Sequence, residues 1–458
     1  MDEKIIQRVA EAPAVVLDKT IDASKKISQD IYQRAHVKRA REYWKTLGPG
    51  LTTGAADDDP SGITTYSQTG AVYGFQLLWL SFFTFPLMAV VQEMCARIGL
   101  VTGRGLAANL RFYYPRWVLY LCTLLLFLAN TLNIGADLGA MAKVTQLMLP
   151  KANYELILII FTVLSLGLQI FTTYEKYAKY LKWLALILLS YVFSALTVNL
   201  DWQKIIHSTI IPSIIFSKDQ IFLISAILGT TISPYLFFWQ TSQEVEDQIL
   251  QGKTTIKLRQ DETSNQEIKD MRIDVWSGMF LSNLVMFFII AASAATLHAA
   301  GITDIKTAAD AAMALRPIAG DNAYLLFSLG IIGTGLLAVP ILAGSASYAI
   351  SESFGWKYGL YKKLKQAHAF YGVIIVSMLI GLGINFIGLD PIKALIYSAV
   401  ANGLVAPVIL IVIILMSGNK KLMGNRANGP VVAFLGWLIT AVMVLAGMAT
   451  VFGFLLPQ

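Results

Sequence analysis

The chain has 458 residues, of which 56% are hydrophobic and 14% are charged. About a quarter of the residues of an ordinary soluble domain are charged, so this composition argues against a soluble fold. The formal net charge is +7, and basic loops facing an anionic leaflet account for it without a nucleic-acid partner. The two cysteines, Cys95 and Cys122, fall inside apolar runs, which argues against a disulfide framework or a zinc site.

Apolar runs of about twenty residues recur along the chain, the length that a helix needs to cross a bilayer. Proline, glycine and charge clusters separate eleven such runs. They predict an all-α integral membrane protein with eleven transmembrane helices. The predicted spans are 47–73, 75–98, 115–147, 153–173, 177–199, 218–241, 274–299, 321–350, 368–389, 391–416 and 429–456.

Lysine and arginine are distributed unevenly over the segments between these spans. If the N-terminus is cytoplasmic, the inner segments hold 29 of these residues and the outer segments hold 6. Cytoplasmic loops are normally the basic ones. The distribution therefore predicts a multi-pass protein with its N-terminus in the cytoplasm and its C-terminus outside, and we expect the membrane to be the plasma membrane of a prokaryote.

The order of apolar and polar segments predicts how the chain is organised. Residues 1–46 are charged and should form a cytoplasmic extension, whereas residues 47–458 should form the transmembrane domain. Helix-breaking residues occur in both the first and the sixth span. This spacing predicts two inverted five-helix repeats, at about 47–199 and 218–416, and an extra helix at about 429–456. Transporters of this LeuT-like design bind substrate between the two broken helices.

The first span contains three consecutive aspartates, Asp57 to Asp59, followed by Pro60. Carboxylates inside a membrane span are costly and usually functional. Proline lacks an amide donor and disfavours helical geometry in the residue before it, so the helix should break at Asp59 and free carbonyl oxygens near Ala56. Hard cations bind such oxygen sets. The alternative is that this segment is a loop at the membrane surface.

The sixth span should break between Gly229 and Pro234. A lone proline in a transmembrane helix is ordinarily a kink, but two interrupted helices can pool unpaired carbonyl groups around one ion. The pair of breaks therefore predicts one cation site built by both spans.

Four polar residues near the predicted site or on its cytoplasmic side each have two possible roles. Asp58 either faces the ion or lines an aqueous path to it. Asn402 in the tenth span either gives the site an amide oxygen, directly or through a metal-bound water, or makes an interhelical hydrogen bond. Glu244 and Glu246 follow the sixth span, where they either attract departing ions or cap a solvated helix end.

From about Leu47 onward the chain resembles the Nramp family of divalent-metal transporters. The resemblance is carried by Gly48-Pro49-Gly50, by Asp59-Pro60, by the segment ARIGLVTGRGLA at 96–107 and by Ser233-Pro234-Tyr235. It implies that the Asp59 carboxylate and the Thr230 carbonyl are metal ligands. It also implies that the substrate is a divalent cation and that no resident cofactor is needed.

Two departures from the family pattern bear on the substrate. Typical members read Asp-Pro-Gly-Asn at the first break and Met-Pro-His at the sixth, so Gly62 stands in place of the asparagine and Ser233 in place of the methionine. A thioether favours manganese and iron over magnesium and calcium. Without it, the site is an all-oxygen cavity that suits partly hydrated Mg²⁺. The pattern resembles the Nramp-related magnesium transporter branch, with Mg²⁺ as the expected cargo and Mn²⁺ as a second one.

The chain also departs from the family pattern at positions that relay protons in proton-coupled members. Tyr235 and Gln240 replace two histidines of proton-coupled relatives, Ala140 replaces a glutamate, and Asp137 matches a family acid. Tyrosine and glutamine do not relay protons near neutral pH, so we expect a uniporter. The alternatives are a proton-coupled Mn²⁺/Fe²⁺ symporter that uses Asp137, and a sodium-coupled transporter of an organic solute.

The remaining expectations concern activity and partners. The spans offer isolated hydroxyl groups and no converging catalytic set, so an enzyme is not expected. The expected partners are a divalent cation and the lipid bilayer, and a monomer is compatible with the sequence.

Overall fold

The computed structural model describes residues 42–198, 200–215, 217–303, 305, 308–387 and 391–455. The predicted cytoplasmic extension, 1–46, lies almost entirely outside the described residues. A compact unit begins at Gly48, and it contains both helix breaks.

The described residues form helices and connecting segments, with no β-strand among them. The α-helices are α1 Pro49–Asp57, α2 Pro60–Tyr73, α3 Trp79–Thr102, α4 Leu106–Tyr113, α5 Arg116–Met148, α6 Tyr154–Phe171, α7 Tyr174–Leu184, α8 Leu189–Leu196, α9 Trp202–Ile210, α10 Lys218–Thr231, α11 Pro234–Leu250, α12 Ile256–Asp261, α13 Asn265–Ser293, α14 Ala308–Phe354, α15 His368–Ile384, α16 Pro391–Gly418, α17 Lys420–Met423 and α18 Pro430–Leu455. The 3₁₀ turn Ala185–Leu188 joins α7 to α8, and the π turn Ala294–His298 follows α13.

Within the described ranges, nine helical segments are long and apolar enough to cross a membrane. They are Trp79–Thr102, Arg116–Met148, Tyr154–Phe171, Glu175–Leu196, Lys218–Leu250, Asn265–His298, Gly320–Phe354, Tyr397–Gly418 and Pro430–Phe452. The ninth predicted span is the shorter apolar helix α15, and the first predicted span is the broken pair α1 and α2. Each of the eleven predicted spans thus has a helical counterpart.

Both predicted helix breaks are present and have the same local construction. Helix α1 ends at Asp57 and α2 begins at Pro60, while α10 ends at Thr231 and α11 begins at Pro234. The residue before each proline, Asp59 or Ser233, is extended and forms the N-cap of the second half-helix. Proline is well suited to the first helical position, because its missing amide would have no partner there.

The sixth span is longer than predicted, because α11 continues to Leu250. The prediction that Glu244 and Glu246 lie at a solvated mouth was wrong, since both are buried in α11. The Glu246 carboxylate accepts hydrogen bonds from the Tyr348 hydroxyl and the Leu360 amide. The polar residues from 242 to 250 therefore belong to a buried helix and not to a loop.

The seventh span begins earlier than predicted, at Asn265. Ser264 and Glu267 form a capping box there, each side chain bonding the backbone amide of the other. Such reciprocal bonds satisfy amides that a helix start leaves unpaired. Four short α-helices between spans were not predicted: α4, α9, α12 and α17.

Backbones approach closely where the broken helices cross their neighbours. A Cβ atom added at Gly229 in α10 would lie 2.0 Å from the Ala399 carbonyl oxygen of α16 and 2.7 Å from the Gly403 amide nitrogen. Only glycine permits this approach, which places α16 against α10, the first half of the sixth span.

We therefore expect Gly229→Ala to destabilise the protein, because a methyl group would force α10 and α16 apart. Overpacking of this kind costs about 1–3 kcal/mol, and the melting temperature in detergent, followed by intrinsic fluorescence, should fall by several degrees. Gly167→Ala in α6 is the matched control, since a Cβ atom there has no neighbour within 4 Å. An equal melting temperature for the two variants would contradict the packing argument.

Candidate cation site

The Asp59 carboxylate lies at the first break and is fully engaged with its surroundings. Its Oδ1 accepts from the Gly62 amide at 2.8 Å and from the Ser61 hydroxyl at 2.5 Å. Its Oδ2 accepts from the Asn133 Nδ2 at 2.7 Å. The residue is buried, so these three donors fix the carboxylate at the start of α2.

A second layer of polar contacts holds Asn133 in place. Asn133 lies on α5, and its Oδ1 accepts from the Ser398 hydroxyl of α16 at 2.7 Å. The amide is thereby oriented with its nitrogen toward Asp59. In metal sites, residues that hydrogen-bond a ligand orient it, and their loss typically lowers metal affinity about 10–100-fold.

The two breaks lie next to each other. The Tyr235 hydroxyl, two residues after Ser233, donates to the Ala56 carbonyl oxygen at 2.6 Å. The Tyr66 hydroxyl of α2 and the Thr231 Oγ1 of α10 are 3.3 Å apart. These contacts join the two breaks directly, and one lone pair of the Ala56 carbonyl oxygen is used by the Tyr235 hydroxyl.

Ser233 folds back on the carbonyl groups at the end of α10. Its hydroxyl lies 2.7 Å from the Thr230 carbonyl oxygen and 2.9 Å from that of Gly229. A hydroxyl has one proton to donate and lone pairs that remain open. Ser233 and Thr230 thus place oxygen atoms on one turn of chain at the sixth break.

Three more buried carboxylates surround Asp59. Ser282 of α13 donates to Asp57 Oδ2 at 2.8 Å, while Asp57 Oδ1 and both oxygens of Asp58 and Asp137 have no hydrogen-bond partner in the described residues. No ion pair of the described chain involves any of these acids. Unpaired buried charges cost several kcal/mol, so a bound cation or protons must balance this cluster.

Gly62 contributes its backbone, a role that the sequence analysis did not assign. Its amide donates to Asp59, and a Cβ atom at this position would lie 3.2 Å from the Asp57 carbonyl oxygen. A side chain here would therefore crowd the carboxyl end of α1. Glycine leaves that space open.

Asn402 is buried in α16, one turn beyond Ser398, so the two share a face of the helix. Its Oδ1 has no hydrogen-bond partner in the described residues. This oxygen does not make the interhelical hydrogen bond that was one of its two predicted roles.

The residues that correspond to the family's proton route have structural partners. Ala140 packs with Ala136 and Leu395 in a small apolar cluster. Tyr235 bridges the two breaks, and the Gln240 Nε2 donates to Glu244 Oε1 at 2.8 Å. Asp137 lies one turn after Asn133 on the same face of α5, so it is placed toward Asp59.

No group of three or more His, Cys, Asp or Glu side chains in the described ranges converges as a metal cluster does. A cation at the breaks would therefore depend on carbonyl, hydroxyl and amide oxygens in addition to Asp59. Sequence reasoning missed Asn133 and Ser398 as supports of Asp59. A polar residue in an apolar span was the available signal, but it does not name its partner.

Comparison with known proteins identifies relatives over nearly the whole chain. The profile of the natural resistance-associated macrophage protein-like (Nramp) family matches residues 50–453. A divalent metal cation transporter MntH of Aeromonas hydrophila is 25% identical over 419 residues, covering 88% of this chain and 95% of that protein. A protein of the same name from Caldanaerobacter subterraneus is 25% identical over 422 residues, covering 89% and 93%.

Solved structures show the same fold. A manganese transporter of Eremococcus coleocola, in complex with an aromatic bis-isothiourea compound, has a TM-score of 0.69 at 18% identity, covering 90% of this chain and 87% of that one. The nucleobase-cation-symport-1 family transporter Mhp1, in a closed conformation, has a TM-score of 0.56 at 13% identity, covering 89% and 91%. The predicted all-α membrane transporter fold is confirmed.

Replacing Asn133 with alanine should weaken binding of divalent cations, because Asp59 loses a donor and Ser398 loses its acceptor. Second-layer changes of this kind cost about 10–100-fold in affinity, and titration calorimetry with Mn²⁺ and with Mg²⁺ measures the change. Thr131→Ala is the control on the same helix, since the Thr131 hydroxyl bonds only the Phe127 carbonyl one turn away. Unchanged affinity in Asn133→Ala would show that Asp59 does not take part in binding.

Proposed function

The chain belongs to the Nramp family of divalent-metal transporters, and on that basis we propose that it carries Mg²⁺ across the membrane as a uniporter. Mn²⁺ is a second cargo under this proposal. The ligands that we assign are the Asp59 carboxylate, the carbonyl oxygens of Ala56 and Thr230, and the Ser233 hydroxyl.

The observation that carries this proposal is the sixth break itself. Ser233 occupies the position of the family's methionine and folds its hydroxyl onto the Gly229 and Thr230 carbonyl groups. The donors of both breaks are then oxygen atoms. Hard cations such as Mg²⁺ prefer oxygen, whereas sulfur would favour softer transition metals.

Buried side-chain oxygens near the breaks that lack a hydrogen-bond partner support a hydrated cation as the cargo. Asp58 and Asn402 bear buried oxygens without a hydrogen-bond partner in the described residues, and Gly62 leaves space beside the Asp57 carbonyl. Mg²⁺ gives up its water reluctantly and is usually held by one or two carboxylates through retained waters. We therefore assign Asp58, Gly62 and Asn402 to the shell around the ion and its water molecules.

Uniport agrees with the electrostatics. An inward-negative potential favours entry of a divalent cation by about 4.6 kcal/mol per 100 mV, twice the single-charge value. Ala140 is packed in an apolar cluster and Tyr235 bridges the breaks, so neither supplies a proton acceptor. No proton gradient is then required for accumulation. The proposed setting is a prokaryotic plasma membrane with the N-terminus inside.

A second candidate function is proton-coupled Mn²⁺ transport. The relatives called MntH are divalent metal cation transporters, and the structurally similar protein of Eremococcus coleocola is a manganese transporter, which favours Mn²⁺ as the cargo. Asp137 is a buried acid beside the site whose oxygens have no partner in the described residues. It is the group that would carry the proton under this alternative.

Substituting Ser233→Met should shift preference from Mg²⁺ to Mn²⁺ by about tenfold or more, because a thioether then enters the site. The measurement is competition between the two ions in one preparation of proteoliposomes. Asp59→Ala should abolish uptake of both ions.

Ser213→Met is the control for the added methionine, since Ser213 is an exposed residue outside both broken helices. It should leave the preference unchanged. If Ser233→Met also leaves the preference unchanged, Ser233 is not a selectivity ligand. If wild-type vesicles take up Mn²⁺ but no Mg²⁺, the magnesium assignment is wrong.

Uptake of Mg²⁺ should proceed without acidification of the vesicle interior, because no proton accompanies the ion. A trapped pH-sensitive dye reports the interior pH while an imposed inward-negative potential drives uptake. Vesicles containing Asp59→Ala give the baseline for leakage. Acidification above that baseline that disappears in Asp137→Asn would establish the proton-coupled alternative.

A further inference from the structure

Helix α13 contributes no proposed ligand, yet three of its residues form a continuous contact with the cytoplasmic half of the first span. Asp274, Gly278 and Ser282 are spaced four residues apart and so lie on one face of α13. We call this set the α13 docking face. It meets α1 from its N-terminus to its last residue.

The first contact is at the N-terminus of α1. Asp274 accepts three backbone amides: its Oδ1 accepts from Gly48 at 2.7 Å and Leu51 at 3.0 Å, and its Oδ2 accepts from Gly50 at 2.6 Å. A helix start leaves its first amides unpaired and carries positive partial charge. A buried carboxylate from another helix satisfies both requirements.

The second contact is a close approach of the two backbones. A Cβ atom on Gly278 would lie 2.1 Å from the Gly50 carbonyl oxygen, and one on Gly54 would lie 2.2 Å from the Gly278 carbonyl oxygen. No side chain can intervene at these positions. Helices that pack through small residues in this way keep a defined register.

The third contact reaches the cation site. The Ser282 hydroxyl donates to Asp57 Oδ2 at 2.8 Å, and Asp57 is the last residue of α1. The same face of α13 therefore holds α1 at its start, along its middle and at the carboxylate next to Asp59.

The contact of α1 with α11 is made by fewer hydrogen bonds than its contact with α13. The Tyr235 hydroxyl donates to the Ala56 carbonyl oxygen at the site end. At the cytoplasmic end, the position of a Cβ atom on Gly48 lies 3.5 Å from Asp274 Oδ2 and 3.7 Å from Asp247 Oδ2 of α11. Gly48 thus borders both helices, but its amide bonds the α13 carboxylate.

We propose that Asp274, Gly278 and Ser282 are positioning residues that make α1 move together with α13. Release of the ion to the cytoplasm then opens a path between α1 and α11, with loss of the hydrogen bond from Tyr235 to Ala56. This inference rests on the proposed transport function and assigns a direction to the opening step.

Two matched crosslinks from Gly48 test the direction. In a background with Cys95→Ala and Cys122→Ala, Gly48→Cys is combined with Asp274→Cys or with Asp247→Cys, and each pair is joined by a short thiol crosslinker in proteoliposomes. The Gly48–Asp274 crosslink should leave at least about half of the uptake of its uncrosslinked form. The Gly48–Asp247 crosslink should reduce uptake at least about tenfold, and a reducible crosslinker should allow recovery.

Two results would overturn the inference. A block by the Gly48–Asp274 crosslink would mean that α1 must leave α13. Unchanged uptake with the Gly48–Asp247 crosslink would mean that α1 and α11 need not separate. Uptake by each crosslinked pair is measured with Mg²⁺ and with Mn²⁺. If only Mn²⁺ is taken up, the proposed function is refuted, but the effect of each crosslink on Mn²⁺ uptake still shows the direction of opening.

Hydrogen–deuterium exchange of the wild-type chain tests the same inference without substitutions, in case Asp274→Cys does not fold. Amides of α1 and of 274–282 should keep the same protection relative to one another when Mg²⁺ is added, while protection of 234–240 changes. Loss of protection in α1 with unchanged protection in 274–282 would contradict the joint movement.

A kinetic comparison separates positioning from simple stability. Ser282→Ala should raise the KM for Mg²⁺ about threefold or more with little change in Vmax, because only the orientation of Asp57 is lost. Asp270→Asn on the same helix is the control, since Asp270 is only partly buried and accepts from Gln266 in a solvent-exposed hydrogen bond. Equal loss of Vmax and folded yield in Ser282→Ala, with KM unchanged, would contradict a positioning role.

Discussion

The buried carboxylate of Asp59 at the break of a membrane helix is the constraint on which the rest of the site depends. An ionised group in this position is expensive unless it is hydrogen-bonded and neutralised. Three donors meet the first requirement: the Ser61 hydroxyl, the Gly62 amide and the Asn133 amide. Under the proposed function a cation meets the second, so that the broken helix and the transport function follow from one charge.

The surrounding helices are arranged around that charge in layers. α5 and α16 support Asp59 through Asn133 and Ser398. α11 reaches the first break through the Tyr235 hydroxyl, and α13 fixes α1 through Asp274 and Ser282. The half-helices α1 and α11, which end or begin at the two breaks, thus have different external attachments. We infer that this difference gives the proposed site a direction in which it can open.

Much of this architecture could be predicted from the sequence, because its signals are local. Asp59-Pro60 and Ser233-Pro234 mark both breaks, and apolar runs mark the spans. The pairing of Asn133 with Asp59 and of Asp274 with the amides of α1 could not be predicted, since each joins residues far apart in the chain. Glu246 was assigned to a solvated end for the same reason, because its partner Tyr348 lies on another helix. Glu244 is buried as well, and its partner Gln240 lies one turn away on the same helix.

The most direct test of an oxygen-only site at the two breaks is X-ray absorption spectroscopy of the protein loaded with Mn²⁺ as a spectroscopic substitute for Mg²⁺. The account predicts a first shell of oxygen atoms alone, in wild type, and no bound ion in Asp59→Ala. A sulfur atom in the first shell, or the same spectrum from Asp59→Ala, would contradict it.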